Sequence, residues 1–211
     1  MVICPVCGAS NPEGSAFCMV CGSRLKSVNV PANVLKKYNI YADRGSIEFR
    51  NEENVSEITV KKSGFMSKEH LILEGNTIVG KIIEDKVYDA SGNTVLADIN
   101  GTTTIQVSSY WIRDTAGNVV AKTVSEEARG HFLDSLNYLI YNIVDGEETI
   151  ARIEPRTSMI NVKFLHLRYH LYLYSNKLQP VMLAALIYAI KRGDDKREDL
   201  STYGGGAPFG P

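Results

Sequence analysis

Four cysteines, Cys4, Cys7, Cys18 and Cys21, fall in the first 21 residues of this 211-residue chain, and no other cysteine follows. They form two Cys-x-x-Cys pairs, Cys-Pro-Val-Cys-Gly and Cys-Met-Val-Cys-Gly, separated by ten residues. Thiolates two residues apart converge on one metal when a tight turn brings both sulfurs to one side. A second pair completes a tetrahedral S4 set that suits Zn2+. Gly8 and Gly22 follow the second cysteine of each pair, where the turn needs positive φ. Four protein ligands leave no coordination position for water, so this chemistry is structural rather than catalytic. A pair of disulfides is the competing reading. It is disfavoured because paired knuckles read as zinc and no secretory segment precedes them.

This stretch resembles a short zinc ribbon of the kind found at the head of many prokaryotic proteins, with Asn11-Pro12-Glu13-Gly14 as the turn that closes the hairpin. The resemblance covers residues 1–25 and implies one structural Zn2+ and a protein partner reached through the ribbon. So short a segment cannot bury a sufficient apolar core and is expected to fold only with its metal.

The chain as a whole gives no electrostatic case for a nucleic-acid or acidic-membrane partner. Lys plus Arg is 23 against 24 for Asp plus Glu, a net charge of -1, so any anion site must be a local patch. The longest apolar run, Val181 to Ile190, has ten residues, whereas a spanning helix needs about 20. It reads as a buried helix, and with no basic-then-apolar leader the expected location is the cytoplasm. There is no Walker loop, no Gly-x-Gly-x-x-Gly, no Gly-x-Ser-x-Gly and no His-Glu-x-x-His. Nothing argues for catalysis.

The elements that would position a binding site begin after a linker at 26–37. From Tyr38, runs rich in Val, Ile, Tyr and Thr alternate with Asp, Asn and Gly turns, the signature of antiparallel hairpins. Gly75-Asn76-Thr77-Ile78-Val79 is echoed by Gly92-Asn93-Thr94-Val95-Leu96, by Gly117-Asn118-Val119-Val120-Ala121 and, more weakly, by Glu148-Thr149-Ile150-Ala151. Asp-x-x-Gly turns at Asp89 to Gly92 and Asp114 to Gly117 precede two of these copies. They carry too few oxygens for Ca2+ and read as hairpin punctuation. Ile160 to Ser175 is the longest strand candidate, with Leu165, Leu167, Tyr169, Leu171 and Leu173 on one face. A helix follows at about 180–191, opened by Pro180 and ended by Lys191, Arg192 and Gly193. It is apolar nearly all round and must be enclosed. Residues 196–211 read as a disordered tail.

A many-stranded domain with one wholly apolar terminal helix is satisfied by a sheet curled into a barrel around that helix. The fold class expected is therefore mainly β (α+β): a small zinc ribbon, then an antiparallel β-barrel enclosing a C-terminal hydrophobic helix. The Asp-x-x-Gly-Asn-x-Val hairpins, the long strand and the terminal helix resemble the LURP-one-related, tubby-like and phospholipid-scramblase superfamily over about residues 38–195. That resemblance implies a roughly twelve-stranded barrel threaded by a central helix. It supports fold better than activity. The basic pair through which tubby proteins bind phosphoinositides has no assigned counterpart here.

One strand face offers binding chemistry. His166, Arg168, His170, Tyr172 and Tyr174 interleave cations with aromatic rings, a combination that can hold phosphates while rings stack on bases or lie at a headgroup boundary. The alternative is an outer barrel face whose long side chains cover neighbouring strands. His166 and His170 cannot share a metal on a strand, where four residues span about 13 Å. His131 reads as a surface histidine, and His70 is the fourth histidine. Lys61-Lys62 and Lys191-Arg192 add charge of a kind common on solvated surfaces. The expected function is a non-catalytic zinc-ribbon adaptor whose barrel recognises an anionic ligand such as a phospholipid headgroup. The alternative is a nucleic-acid-associated ribbon protein of the ribosomal or transcription machinery.

Overall fold

A computed structural model describes residues 1–4, 8–11, 31–43, 45–64, 66–103, 108–127, 139–155 and 167–203. Cys7, Cys18, Cys21, Gly22, the Asn11-to-Gly14 turn beyond Asn11, His131, and His166 with the start of its strand candidate lie outside the described residues. At the N-terminus, β1 (Val2–Ile3) pairs antiparallel with β2 (Ser10–Asn11).

The strands expected from the hairpin pattern form a closed barrel. They are β3 (Lys36–Ala42), β4 (Ser46–Arg50), β5 (Ser56–Lys62), β6 (Glu69–Glu74), β7 (Thr77–Ile83), β8 (Lys86–Tyr88), β9 (Val95–Thr103), β10 (Ser108–Asp114), β11 (Val119–Glu127), β12 (Leu139–Asp145), β13 (Glu148–Pro155) and β14 (Leu167–Leu173). Each pairs antiparallel with its neighbours along the chain, and β14 closes the twelve-stranded ring by pairing with β3. The sequence echoes mark the strands that follow glycine turns, namely β7, β9, β11 and β13. Gly75, Gly92, Gly117 and Gly146 in those turns all have positive φ, between 56° and 86°. Asp89 acts as the expected turn cap: its Oδ1 accepts from Ser91 Oγ at 2.8 Å and from the backbone N–H of Gly92 at 2.8 Å and Asn93 at 3.1 Å. These bonds, the Ser91 hydroxyl first, hold its carboxyl at about 2.

Inside the barrel runs α1 (Pro180–Tyr203). Leu183 to Ile187 are only 0–3% exposed, as an all-round apolar helix requires. The wall facing it alternates in period two. Ile40, Phe49, Val60, Ile72, Ile82, Ile112, Tyr141, Ile143, Ile153 and Leu171 point inward, with the small Ala97, Ala121 and Ala151 buried among them, and the helix lies closest to β9 and β10. Burying each large aliphatic side chain contributes about 1.5–3 kcal/mol, so this single core dominates the barrel's stability.

The helix does not stop where the sequence suggested. It continues through Gly193 to Tyr203, so positions 196–203 of the expected tail are helical. Gly193 is not a terminator. A Cβ there would stand 1.5 Å from the Tyr110 hydroxyl and 2.9 Å from Thr103 Oγ1, so the glycine is what lets the β9–β10 wall touch the helix backbone. Lys191 and Arg192 accordingly sit within the helix and make side-chain ion pairs rather than ending it: Lys191 pairs with Asp195, and Arg192 with Asp85. No helix among the described residues is long and apolar enough to cross a membrane.

Candidate functional site

Around Cys4, the described residues are tied into a turn by two backbone hydrogen bonds. Cys4 is 1% exposed; its carbonyl accepts from Gly8 N–H at 2.9 Å and its N–H donates to Ala9 O at 2.9 Å. Gly8 adopts φ 73°, the conformation for which glycine follows the second cysteine of the pair. Buried Asn11 donates its Nδ2 to Ala9 O at 2.8 Å, tying β2 to the same turn. A buried thiol held in a two-bond turn fits one corner of a Zn2+ site. Cys4, Cys7, Cys18 and Cys21 would supply the four thiolates, and the ion's role would be to hold the ribbon together.

On the barrel wall, β14 shows the expected alternation: Tyr169 and Leu171 are buried, and Arg168, His170, Tyr172 and Tyr174 are half-buried on the other face. Several of these side chains meet groups of neighbouring elements. His170 Nδ1 lies 2.9 Å from Asn39 Oδ1 on β3, and Lys37 sits over the Tyr172 ring at 5.7 Å. Burial raises the hydroxyl pKa of both Tyr172 and Tyr174. Arg168 leaves the row altogether. A register shift between Leu167 and Tyr169 makes it the extra residue of a bulge, and its Nη1 reaches Asp195 Oδ1 of α1 at 3.4 Å.

The more notable assembly is at the barrel mouth where α1 emerges. Lys62 ends β5 directly across from His70 at the start of β6. Both continue the inward-facing series: Ile58 and Val60 precede Lys62, and Ile72 follows His70. Polar residues thus stand where the period-two pattern places core. They line a cavity of about 460 Å3 together with Lys68, Tyr188, Lys191 and Arg192. The Arg192–Asp85 ion pair, 2.7 Å, also borders a second cavity of about 510 Å3 whose walls include Asn100, Thr103, Tyr110 and Lys196.

Charge is not balanced around the first cavity. Its three carboxylates are engaged: Asp85 by Arg192, Asp195 by both Lys191 at 2.5 Å and Arg168, and Glu84 loosely by Lys68 at 3.8 Å. Among the described residues, Lys62 has no carboxylate partner. The His70 ring packs on Tyr188 with centroids 4.6 Å apart, and its Nδ1 is buried without a hydrogen-bond partner. Burial, then the positive charges of Lys62, Arg192 and Lys191, hold His70 below its ordinary 6.5, with the Lys68 backbone pulling the other way. Ser108, Trp111, Asn142 and Thr149 also carry a buried polar atom without a partner, but none of them lines either cavity.

Across the mouth, a second polar cluster is closed. Tyr141 and Tyr169 donate to the two Asp194 oxygens at 2.7 and 2.6 Å, anchoring α1 to β12 and β14. Burial first, then the Asp194 charge, drives the Tyr169 hydroxyl well above its usual range. Every oxygen of this trio faces a partner, so it braces the helix and offers nothing to a ligand.

Comparison with known proteins agrees with the N-terminal geometry. Residues 3–25 match the family model of the zinc-ribbon domain. No curated protein matches the chain. The X-ray structure of a protein from Arabidopsis thaliana is similar at 14% identity with a TM-score of 0.48, covering 76% of this chain and 90% of that one. The N-terminus is thus similar to the zinc-ribbon domain, and the match suggests a metal-, nucleic-acid- or protein-binding role for this segment.

The sequence reading dismissed Lys61-Lys62 and Lys191-Arg192 as ordinary surface charge. The structure brings Lys62, Lys191 and Arg192 to one cavity from elements more than a hundred residues apart. One signal was available in advance. In Ile58-x-Val60-x-Lys62 and His70-x-Ile72, polar residues extend an apolar period-two face, which is not what a solvated surface pair does.

Proposed function

We propose that this protein is a non-catalytic binding module of the cytoplasm, in which the zinc ribbon engages a protein partner and the barrel recognises an anionic ligand. The observation that carries the barrel's part is the convergence of Lys62, Lys68, Lys191 and Arg192 on one cavity that holds three carboxylates, leaving an excess of one positive charge. An anion entering there meets four cations against three carboxylates, with Lys191 the most buried of the cations and Lys62 without a carboxylate partner among the described residues. The resemblance to the LURP-one-related and tubby-like barrels supports a phospholipid headgroup as that anion. Four thiols clustered without other cysteines suit a reducing compartment, where zinc rather than disulfide formation would hold them.

Two measurements test this reading on the full chain. Zinc content should be about one ion per chain, as a four-thiolate site requires; a ratio far below this under non-chelating conditions would remove the metal assignment. Sedimentation with phosphatidylcholine vesicles containing acidic lipid should carry the protein down, while a random-sequence oligonucleotide at the same salt should not bind. Oligonucleotide binding that falls steeply with salt, with vesicles ignored, would overturn the lipid reading in favour of a nucleic-acid module.

A further inference from the structure

The mouth cavity has features more specific than general positive charge. Its ammonium groups arrive from separate elements: Lys62, without a carboxylate partner among the described residues, from the end of β5, Lys68, 3.8 Å from Glu84, from the β5–β6 connection, and Lys191, paired with Asp195, from α1. Lysine is a compact point charge that meets one oxygen at a time, whereas the planar fork of arginine suits a carboxylate. The guanidinium here, Arg192, is taken by the Asp85 carboxylate. Three monodentate donors around one volume suit a tetrahedral group with several terminal oxygens. At about 460 Å3 the cavity exceeds one such group, leaving room along the Tyr188 and His70 rings for the organic part of the ligand.

His70 gives this site a second property. It stands across the strand pair from Lys62, against Tyr188, and within the influence of Lys191 and Arg192 from the helix. Glu84, Asp85 and Asp195 are the acidic groups of the same cavity, each with a cation already beside it. Burial first, and then positive charge led by Lys62, unpaired among the described residues, keep the ring neutral where an ordinary histidine would begin to protonate. A dianion placed among the lysines reverses that field.

We propose that the mouth cavity binds the phosphoryl group of a phosphomonoester or diphosphate, held by Lys62, Lys68 and Lys191, and that binding is coupled to uptake of a proton by His70. This rests on reading the barrel as an anion binder and adds the place, the chemical class and the proton. The sign follows from linkage. In the free protein His70 titrates below 6.5, and the bound dianion favours the imidazolium, so His70 titrates higher in the complex. The part of the affinity that His70 contributes therefore grows as pH falls through the interval between the two values.

The test uses the full zinc-loaded chain, with inorganic pyrophosphate as the soluble probe and phosphatidylcholine vesicles containing phosphatidic acid as the membrane probe. The ring resonances of His70, assigned by their loss in His70→Gln, are titrated with and without saturating pyrophosphate. The expected result is an upward shift of about one pH unit, equivalent to about tenfold tighter binding to the protonated form. The ratio of wild-type to His70→Gln affinity, in which titration of the ligand itself cancels, should grow toward low pH and approach one at pH 8. Lys62→Gln with Lys191→Gln should weaken pyrophosphate at least tenfold while thermal unfolding of the barrel persists. Pyrophosphate binding without vesicle binding identifies a soluble ligand, and binding of both identifies a headgroup within reach of the cavity; each supports the proposal. Pyrophosphate that binds with no change at His70 overturns the proton coupling. Acidic vesicles that bind wild type and the double variant equally overturn the site while sparing the broader reading, and binding of neither probe overturns both.

Discussion

The barrel wall at β14 and the barrel mouth around α1 both present cations beside aromatic rings, yet their polar groups are in opposite condition. On the wall, His170 is met by Asn39, Tyr172 by Lys37, and Arg168 has been drawn over the rim to Asp195. At the mouth, Lys68, Lys191 and Arg192 have carboxylates, but Lys62 lacks one among the described residues and His70 Nδ1 is buried without a partner. The contrast teaches that composition of a surface does not make a site. A group already matched by its neighbours gains little from a ligand, because the ligand must first replace what it displaces. A group left unmatched inside a recess has that interaction still to make.

The comparison can be broken most forcefully at the helix that builds the mouth. Helix propensity alone says that Gly193→Ala should stabilise by about 1 kcal/mol. The 1.5 Å approach to the Tyr110 hydroxyl says the opposite, and we expect a net loss of about 3 kcal/mol in denaturant unfolding. Adding Tyr110→Phe should recover part of that loss, since the hydroxyl is the nearest obstacle; recovery of none would mean that ring and helix, not the hydroxyl, are in conflict. Next in size is the paired change Lys62→Gln with Lys191→Gln, expected to cost about 1.4 kcal/mol or more of pyrophosphate binding, a tenfold loss by calorimetry, with about 1 kcal/mol of stability lost through the Lys191–Asp195 pair. The wall should give the reverse. His170→Ala should cost about 1 kcal/mol of stability through the lost Asn39 bond and leave anion binding unchanged.

The smallest effect is away from both regions. The Asp89 carboxyl, held at about 2 against an ordinary 3.8, contributes stability that is complete above 3.8 and lost as pH falls through about 2. The stability difference between wild type and Asp89→Ala should therefore be constant from neutral pH to about 4 and shrink below it in acid-unfolding curves. A constant difference down to the acid limit would mean that the turn, rather than the ionised carboxylate, carries the effect.

Much of the architecture was legible because it is written in local periodicities. Period two in the strands, glycine at the turns and an apolar run of ten residues led to a closed antiparallel barrel around a helix, and the structure has that form. The alternation on β14 was also readable, since Tyr169 and Leu171 do point inward. What failed depended on distant partners. Gly193 after Lys191-Arg192 has the local look of a helix end, and only the approach of Tyr110, more than eighty residues earlier, shows why a glycine is there. The bulge that removes Arg168 from its row arises from pairing with β3, which the sequence of β14 does not encode. The mouth is the clearest case: beyond the polar ends of two apolar period-two faces, nothing in the segments of Lys62, His70 and Lys191 says that the closed ring makes them neighbours.

The central claim is that the barrel's ligand site is the mouth and not the wall. The most direct measurement is a map of backbone amide chemical-shift changes as pyrophosphate is added to the full, zinc-loaded chain. The account predicts saturable changes centred on Lys62, Lys68, His70, Tyr188 and Lys191, with Asn39, His170 and Tyr172 unmoved. Changes centred on Asn39, His170 and Tyr172, with the mouth silent, would contradict it.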